Sequence, residues 1–198
     1  MCGRYYADSE MFNEIEELVG HIDVTLRANM QNRCYGDIHP NDMAPVIISD
    51  GRNLSCQQQK WGFPMAKGSQ IIFNARSESV LMKPMFRESI LYRRAVIPAV
   101  WFYEWNKNKE KNVFYRKEQT VLYMAGCFAR YQNENRFVIL TTEANESMWP
   151  VHDRMPLILE KEEVEDWLQG SKTEQFFNKK PGLLARRTDY EQMKLFPE

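Results

Sequence analysis

The chain has 198 residues, of which 43% are hydrophobic and 13% aromatic, and its formal net charge at pH 7 is -1. The composition supplies a sizeable core and excludes global disorder, and the length suits one domain. Because 26 Lys and Arg are balanced by 27 Asp and Glu, the protein as a whole does not attract polyanions, so any nucleic-acid surface has to be a local patch.

The first third of the chain predicts one short amphipathic helix followed by strands. Ser9 is a candidate N-cap for a helix that ends at Gly20. This helix places four apolar side chains on one face: Phe12, Ile15, Leu18 and Val19. Strands are predicted over 45–48 and 54–63, and a short apolar segment follows at 71–73.

The rest of the chain predicts a second helix and then mostly strands. Pro84 begins the helix, since Pro is favoured at the first helical position. The later strands are predicted over 95–105, 113–117, 121–128, 137–142 and 155–159, and two short helices over 161–168 and 173–179. Many short strands with few helices predict an α+β fold, a single domain over 1–198 with a strongly bent antiparallel sheet or barrel-like core and short peripheral helices.

Neither secretion nor membrane insertion is expected. The longest apolar run, Ala95–Tyr103, is about half of a membrane span. The N-terminal segment lacks the apolar region of a secretory signal. These features predict a soluble intracellular protein with no membrane partner.

The four cysteines lack the spacing of a metal site. None stands in a C-x-x-C pair and no His lies at ligand spacing, so neither a metal nor another cofactor is expected. Cys34, Cys56 and Cys127 are interpreted as small buried hydrophobic residues. Disulfides are not expected in a reducing compartment.

Cys2 has a chemical option of its own, because removal of an initiator Met is favoured when the next side chain is small. The product carries an α-amine with a pKa of about 7.7–8.0 and a thiol with a pKa of about 8.5 on one residue. Such an amine condenses with an aldehyde to a Schiff base, and the thiol can close on the imine carbon to form a thiazolidine. An incidental cysteine is the alternative interpretation.

Three further segments carry reactive side chains in specific surroundings. Asn74–Glu78 follows an apolar strand, Glu104 lies inside an aromatic run, and His152 precedes a strand of buried type. A carboxylate among aromatics is either exposed on a wet sheet face or buried and suited to acid–base chemistry. For Asn74–Glu78 the structural alternative is a loop turn. For His152 it is a core histidine whose hydrogen bonds are satisfied within the protein.

Seven segments resemble, in order, the motifs of the SOS response-associated peptidase (SRAP) family: Met1–Tyr5, Trp61–Pro64, Asn74–Glu78, Ile97–Ala99, Phe102–Trp105, Thr141–Asn145 and His152–Pro156. The resemblance runs from Met1 to about Leu159, and 160–198 is predicted as a helical C-terminal extension. It implies an α+β domain around a barrel-like core, with a positive groove for single-stranded DNA. Family members trap abasic sites as covalent DNA–protein crosslinks and remove their own initiator Met.

The resemblance also implies a role for each matching residue. Cys2 is the expected crosslinking nucleophile and Asn74 orients it. Glu104 moves protons during sugar ring opening and Schiff-base formation, and His152 stabilises the opened sugar. The residues expected to contact DNA are Arg4, Arg76 and Arg154 at phosphates, Pro40, Met85 and Phe86 as apolar wedges beside the abasic gap, and Trp61 in the same groove.

The partner implied by the resemblance is single-stranded DNA containing abasic sites, and the protein is expected to bind it as a monomer without a cofactor. The expected location is the cytoplasm, in a bacterial or phage-like setting, with the protein on the nucleoid when it is bound to DNA. A local patch supports it, because 76–94 carries five Arg or Lys and two Glu with aromatic residues interleaved. The chain departs from the family at two places. Val100-Trp101 replaces a usual Asp-Gly or Ser-Gly pair beside Glu104, and Ala95 replaces a common Cys.

Two other classes of function remain open from the residues. One is a non-covalent module for single-stranded DNA in which Cys2 is a spectator. The other is a conventional cysteine peptidase, which a nucleophile at the chain terminus disfavours, since such enzymes set it on a preorganised internal element. Denaturing electrophoresis after incubation with an abasic oligonucleotide separates a crosslinker from both.

Overall fold

The computed structural model describes residues 2–20, 22, 28, 36–65, 68–118, 121–170 and 173–188. The strands are β1 (Tyr5–Ala7), β2 (Gly36–Ile38), β3 (Met43–Ser49), β4 (Leu54–Trp61), β5 (Phe63–Pro64), β6 (Ile71–Ile72), β7 (Asn74–Arg76), β8 (Arg94–Ala99), β9 (Trp101–Trp105), β10 (Lys111–Tyr115), β11 (Leu122–Tyr131), β12 (Glu134–Glu143), β13 (Arg154–Pro156), β14 (Ile158–Leu159) and β15 (Ala185–Thr188). The helices are α1 (Glu10–Val19), α2 (Pro84–Tyr92), α3 (Val164–Leu168) and α4 (Thr173–Phe177), with 3-10 helices at Ser77–Met82 and Lys161–Glu163.

Five strands close into a barrel. β12 pairs with β4 in parallel, and the antiparallel pairs β4–β3, β3–β8, β8–β11 and β11–β12 complete the ring. Closure removes the unpaired edges that an open sheet exposes. β7 and β13 extend the sheet beside β12, and β14 extends it beside β11. The predicted fold class, a single α+β domain with a bent, barrel-like core, is confirmed.

A second sheet continues from the barrel through a bend at Val100. Its strand order is β15-β10-β9-β1-β2. The sequence predicts one strand over 95–105, but the chain leaves the barrel at the end of β8 and enters the second sheet as β9. The N–H of Val100 donates to the carbonyl oxygen of Tyr6 at 2.9 Å, which fixes the bend against β1.

Gly62 divides the strand predicted over 54–63. Its φ of 107° lies in the left-handed region that favours glycine, and its N–H donates to the Phe137 carbonyl at 2.7 Å. A Cβ at this position would lie 2.7 Å from Cδ1 of Ile71. The chain therefore leaves β4 at a point where a side chain is excluded.

The predicted helix starts are confirmed, with one correction at the first cap. α2 begins at Pro84 as expected. At α1 the Ser9 side chain makes no capping hydrogen bond. The carboxylate of Asp8 accepts from the N–H groups of Glu10 and Met11 at 3.0 and 3.1 Å instead. A carboxylate at this position also suits the positive end of the helix dipole.

The C-terminal part holds a strand that the sequence analysis did not predict. α3 and α4 lie within the two predicted helical ranges, but β15 then pairs antiparallel with β10. β1 and β2 were likewise not predicted. Cys56 and Cys127 are free and buried as expected, while Cys34 lies outside the described residues. No helix within the described ranges is long and apolar enough to cross a membrane.

We expect Gly126→Ala to destabilise the barrel, because the new Cβ would lie 2.4 Å from Cδ1 of Ile97 and 2.5 Å from the Val138 carbonyl oxygen. The backbone oxygen belongs to a paired strand and cannot move away easily. Overpacking of this kind costs about 1–3 kcal/mol of unfolding free energy, measured by urea denaturation. Gly182→Ala, whose Cβ meets Arg116 at 3.5 Å, is the control and should change stability by less than about 0.5 kcal/mol. Equal stability of both variants would contradict this close packing.

Candidate functional site

Pairing between β1 and β9 brings the N-terminal segment beside Glu104. Tyr5 lies opposite Phe102 in this antiparallel pair, and the N–H of Tyr103 donates to the Arg4 carbonyl at 3.0 Å. Continuing the register toward the N-terminus runs Cys2 along the end of β9. Two residues far apart in sequence therefore meet because of strand pairing.

Cys2 is buried in this position, with 1% of its surface exposed. Its thiol donates a weak hydrogen bond to the Arg4 carbonyl at 3.6 Å. Burial raises the pKa of the Cys2 thiol to about 12, and the nearby negative charge of Glu104 adds to the effect. The thiol is consequently protonated at neutral pH.

Asn74 holds the backbone of Cys2. Its Nδ2 donates to the Cys2 carbonyl oxygen at 2.8 Å, and its position on β7 is fixed by parallel pairing with Ile139 on β12. The Oδ1 of Asn74 is buried and has no hydrogen-bond partner among the described residues. That oxygen can accept a hydrogen bond from a donor that enters the site.

Glu104 lies on the buried face of the second sheet. Only 6% of its surface is exposed, and it sits opposite Asn112 of β10. One carboxylate oxygen accepts the Trp105 N–H at 3.3 Å. Of the two interpretations left open by the sequence, the structure shows the buried carboxylate. Cys2, Asn74 and Glu104 thus form one cluster.

His152 lies in a cleft of about 730 Å³. The cleft is lined by Trp105, Asn106, Lys107, Asn108, Trp149, Pro150, Val151, His152 and Asp153. The Nδ1 of His152 lies 2.9 Å from the backbone N–H of Arg154 and 2.9 Å from an Asp153 carboxylate oxygen. A neutral ring accepts the N–H at Nδ1 and carries its proton on Nε2, whereas a protonated ring donates to Asp153. Trp105, which lines the cleft, directly follows Glu104 on β9.

Trp149 is a candidate site residue that the sequence analysis missed. It lines the cleft with His152 and is 65% exposed. An exposed Trp three positions before the only His of the C-terminal half was the signal that could have identified it. Its ring offers the kind of flat apolar surface on which nucleobases stack.

Arg4 and Arg76 both reach the surface near the cluster. Arg4 pairs with Asp37 at 3.4 Å and its guanidinium lies over the Tyr103 and Trp105 rings, 5.7 and 5.1 Å from their centroids. Arg76 is exposed at the end of β7, two residues after Asn74. Two of the three predicted phosphate contacts therefore remain accessible.

Arg154 has a different environment, since it is 8% exposed and engaged by protein groups. Its two terminal nitrogens donate to the two carboxylate oxygens of Glu78, each at 2.9 Å. One of them also donates to the Thr141 carbonyl at 2.7 Å. This bidentate pair fixes the loop that carries His152 against the start of the 3-10 helix after β7.

The apolar residues expected in the DNA groove separate into two groups. Met85 is 38% exposed and Pro40 is half-buried, so both present apolar surface to solvent. Phe86 is 4% exposed and packs on Phe63. Trp61 is fully buried, and its indole donates to the Phe73 carbonyl at 2.9 Å. The structure therefore places Phe86 and Trp61 in the core, where neither side chain can stack on a base.

No metal site appears in the part of the chain that the structure describes, where no three His, Cys, Asp or Glu side chains cluster suitably. The cluster thus contains an amide, a carboxylate and a thiol, and a histidine lies in the open cleft. These groups suit proton transfer and addition to a carbonyl carbon.

Comparisons with known proteins identify similar chains. A profile of the family described as SOS response associated peptidase (SRAP) matches residues 1–197. The abasic site processing protein YoqW of Bacillus subtilis is 33% identical over 188 residues, which cover 88% of this chain and 83% of that protein. The Escherichia coli protein YedK, also named an abasic site processing protein, is 24% identical and covers 85% and 80% of the two chains. A crystal structure from Bacteroides thetaiotaomicron has a TM-score of 0.80 at 23% identity, covering 94% of this chain and 91% of its own.

We expect Glu78→Gln to lower the melting temperature at pH 7 and to lose that effect in acid. Partial burial favours the neutral acid, but the hydrogen bonds and charge of Arg154 outweigh it and hold the pKa of Glu78 below its usual range. Because the pKa of Glu78 is lower in the folded state than in the unfolded state, the ionised carboxylate stabilises the fold. This stabilisation is complete above the unfolded-state pKa of about 4.3 and is lost as the pH falls through the folded-state pKa. Thermal unfolding between pH 3 and 7 measures it.

The matched control is Glu118→Gln, which neutralises an exposed carboxylate after β10. A melting-temperature difference between wild type and Glu78→Gln that stays constant from pH 7 to pH 3 would contradict the role of the ion pair.

Proposed function

We propose, because the chain belongs to the SOS response associated peptidase (SRAP) family, that it processes abasic sites in DNA by forming a covalent crosslink. The proposed substrate is an abasic site in single-stranded DNA, and the nucleophile is Cys2 after removal of Met1. The observation that carries the proposal is the buried cluster of Cys2, Asn74 and Glu104.

The chemistry begins from the abasic sugar, which is a masked aldehyde. Ring opening moves a proton from the C1 hydroxyl to the ring oxygen and frees the carbonyl. The α-amine of Cys2 adds to C1 and water leaves, giving an imine. The sulfur then bonds to the imine carbon while the thiol proton moves to nitrogen. The product is a five-membered thiazolidine, and one water is released overall.

The amine attacks before the thiol in this scheme. Burial raises the pKa of the Cys2 thiol and so favours its protonated form at pH 7, whereas an α-amine with a pKa of about 7.7–8.0 is partly neutral. Asn74 already holds the Cys2 carbonyl and offers its buried Oδ1 to the amine. Glu104 carries protons for ring opening, and His152 donates from the cleft to the opened sugar.

The same cluster supports removal of Met1 by the protein itself. The bond to be cleaved is the one between Met1 and Cys2, and its leaving group is the amine that the crosslink needs. Glu104 lies near enough to Cys2 to affect its thiol electrostatically. Hydrolysis adds water across this bond: the hydroxyl joins the Met1 carbonyl carbon, and the amine leaves with a proton. Glu104 as a carboxylate can take a proton from the attacking water and then, as the acid, deliver it to the leaving amine.

The DNA strand is expected to pass the accessible residues around the cluster. Arg4 and Arg76 contact phosphates, Pro40 and Met85 pack against bases beside the gap, and Trp149 adds a stacking surface across the cleft. Arg154 contributes by positioning, since it holds the loop of His152 through Glu78. We expect a monomer that needs no cofactor and acts on nucleoid DNA.

Cys2→Ala should abolish the crosslink to abasic single-stranded DNA while retaining most non-covalent binding, because the phosphate contacts lie elsewhere. Cys2→Ser keeps the amine and should yield a product only when borohydride reduces the Schiff base. Denaturing electrophoresis and native gels measure the two effects, and intact mass confirms loss of Met1. Cys56→Ala is the control for loss of a buried thiol. A normal crosslink from Cys2→Ala would rule out this nucleophile and support another one.

Glu104→Gln should slow crosslinking by about 10²–10⁴-fold with DNA affinity nearly unchanged, because the amide keeps the shape but cannot move the proton. Single-turnover kinetics with abasic single-stranded DNA from pH 5 to 9 measure the rate. Glu118→Gln is again the matched control. Wild-type rates from Glu104→Gln at every pH would make this carboxylate structural.

A further inference from the structure

The face of the second sheet opposite Glu104 carries a row of aromatic side chains. Side chains alternate along β9, so Phe102 and Glu104 point into the core while the residues between them face outward. We call this outward surface the aromatic face, and its rings are Tyr6, Trp101, Tyr103, Trp105 and Tyr115.

Cations are held over these rings. Arg187 of β15 lies 4.9 Å from the Trp101 ring centroid and 5.7 Å from that of Tyr115. The Nζ of Lys111 lies 5.9 Å from the Tyr103 centroid. Arg4 lies over the Trp105 ring at the other end of β9.

The rings and cations form a preorganised surface that is partly open to solvent, with Tyr103 buried at its centre. Trp101 stacks on Tyr6 with centroids 4.0 Å apart and ring planes 5° from parallel. Trp101, Tyr6 and Tyr115 are partly exposed, and Arg187 is exposed. Cross-strand aromatic pairs stabilise a sheet by themselves, but a sheet does not need three cations over its rings for that purpose.

We propose that the aromatic face is a second binding surface for single-stranded DNA, along which the strand continues beyond the cleft. This inference rests on the proposed function, since it extends the path of the same substrate. Aromatic rings with interspersed cations fit a single strand, whose bases stack and whose phosphates pair with Arg and Lys. The aromatic face carries three positively charged side chains and one negatively charged side chain, Asp37. It is therefore locally positive and complementary to a polyanion, although the net charge of the protein is -1.

Continuity with the cleft supports this path. Trp105 lines the cleft with His152 and also ends the row of outward rings on β9. From Trp105 to Trp101 the strand spans about 13 Å at the usual rise per residue. A DNA strand that leaves the cleft at Trp105 therefore passes over the buried Tyr103 and meets Trp101 and Arg187.

The test uses intact oligothymidine, which contains no abasic site and cannot crosslink. Fluorescence anisotropy of a labelled 16-nucleotide strand, at several salt concentrations, compares wild type with Arg187→Gln. Loss of one phosphate contact should reduce the slope of log K against log salt by about 0.7. Arg52→Gln removes an exposed cation from the turn between β3 and β4 and should leave the slope as in wild type.

A ring variant provides the second measurement. Trp101→Leu should weaken binding of the same strand by at least about 5-fold, whereas Trp101→Phe, which keeps an aromatic ring, should retain most of the affinity. Thermal unfolding checks that both variants are folded. If Trp101→Leu does not fold, Arg187→Gln decides alone.

The inference is overturned if the slope of Arg187→Gln equals that of wild type, or if Arg52→Gln lowers it equally. Self-association through this face, with unchanged DNA binding in both variants, would also overturn it and assign the surface to a second copy of the chain. Failure of wild type to crosslink abasic DNA rejects the proposed function separately, because the oligothymidine measurement does not involve Cys2.

Discussion

Residues 94–105 contribute strands to both sheets, and the geometry of the site depends on the bend between these two strands. It forms a barrel strand, bends at Val100, and continues as the central strand of the second sheet. The hydrogen bond from Val100 to Tyr6 ties the bend to β1. Because β1 lies only a few residues from the N-terminus, this bond holds Cys2 beside Glu104. The N-terminal segment that carries Cys2 is thereby fixed by the fold.

Burial gives the cluster its chemical character. With little water near Cys2, the uncharged thiol is favoured, and a neighbouring carboxylate strengthens that preference. A protonated thiol is slow to be oxidised or alkylated. In the proposed mechanism, this protects the Cys2 thiol until the imine has formed.

The sequence predicted the fold class, the helix starts and, with shifted ends, the strands from β3 to β14 except β7, because periodicity and Pro or Gly signals are local. It joined β8 to β9 and β13 to β14 as single strands. The prediction failed where the structure of a segment depends on a contact with another part of the chain. Asp8 and Ser9 are both residue types that cap helices well. Only the path of the backbone before α1 shows that the Asp8 carboxylate is the group that accepts the helix N–H. β15 has few apolar residues and exists through pairing with β10. Met85 and Phe86 are adjacent apolar residues, and only packing on Phe63 shows which one is buried. Likewise, Arg154 cannot be distinguished from Arg76 without seeing Glu78.

Barrel closure has a consequence for biosynthesis. The parallel pair of β4 and β12 joins Lys60 to Arg136, so the first strand has no partner on that side until the second has been made. At usual synthesis rates this wait lasts roughly 4–15 s. During it, the backbone edge of β4 is open to other chains. Non-local pairing also slows folding after release. Yield on expression should therefore respond to temperature and chaperone supply more than the stability of the finished barrel suggests.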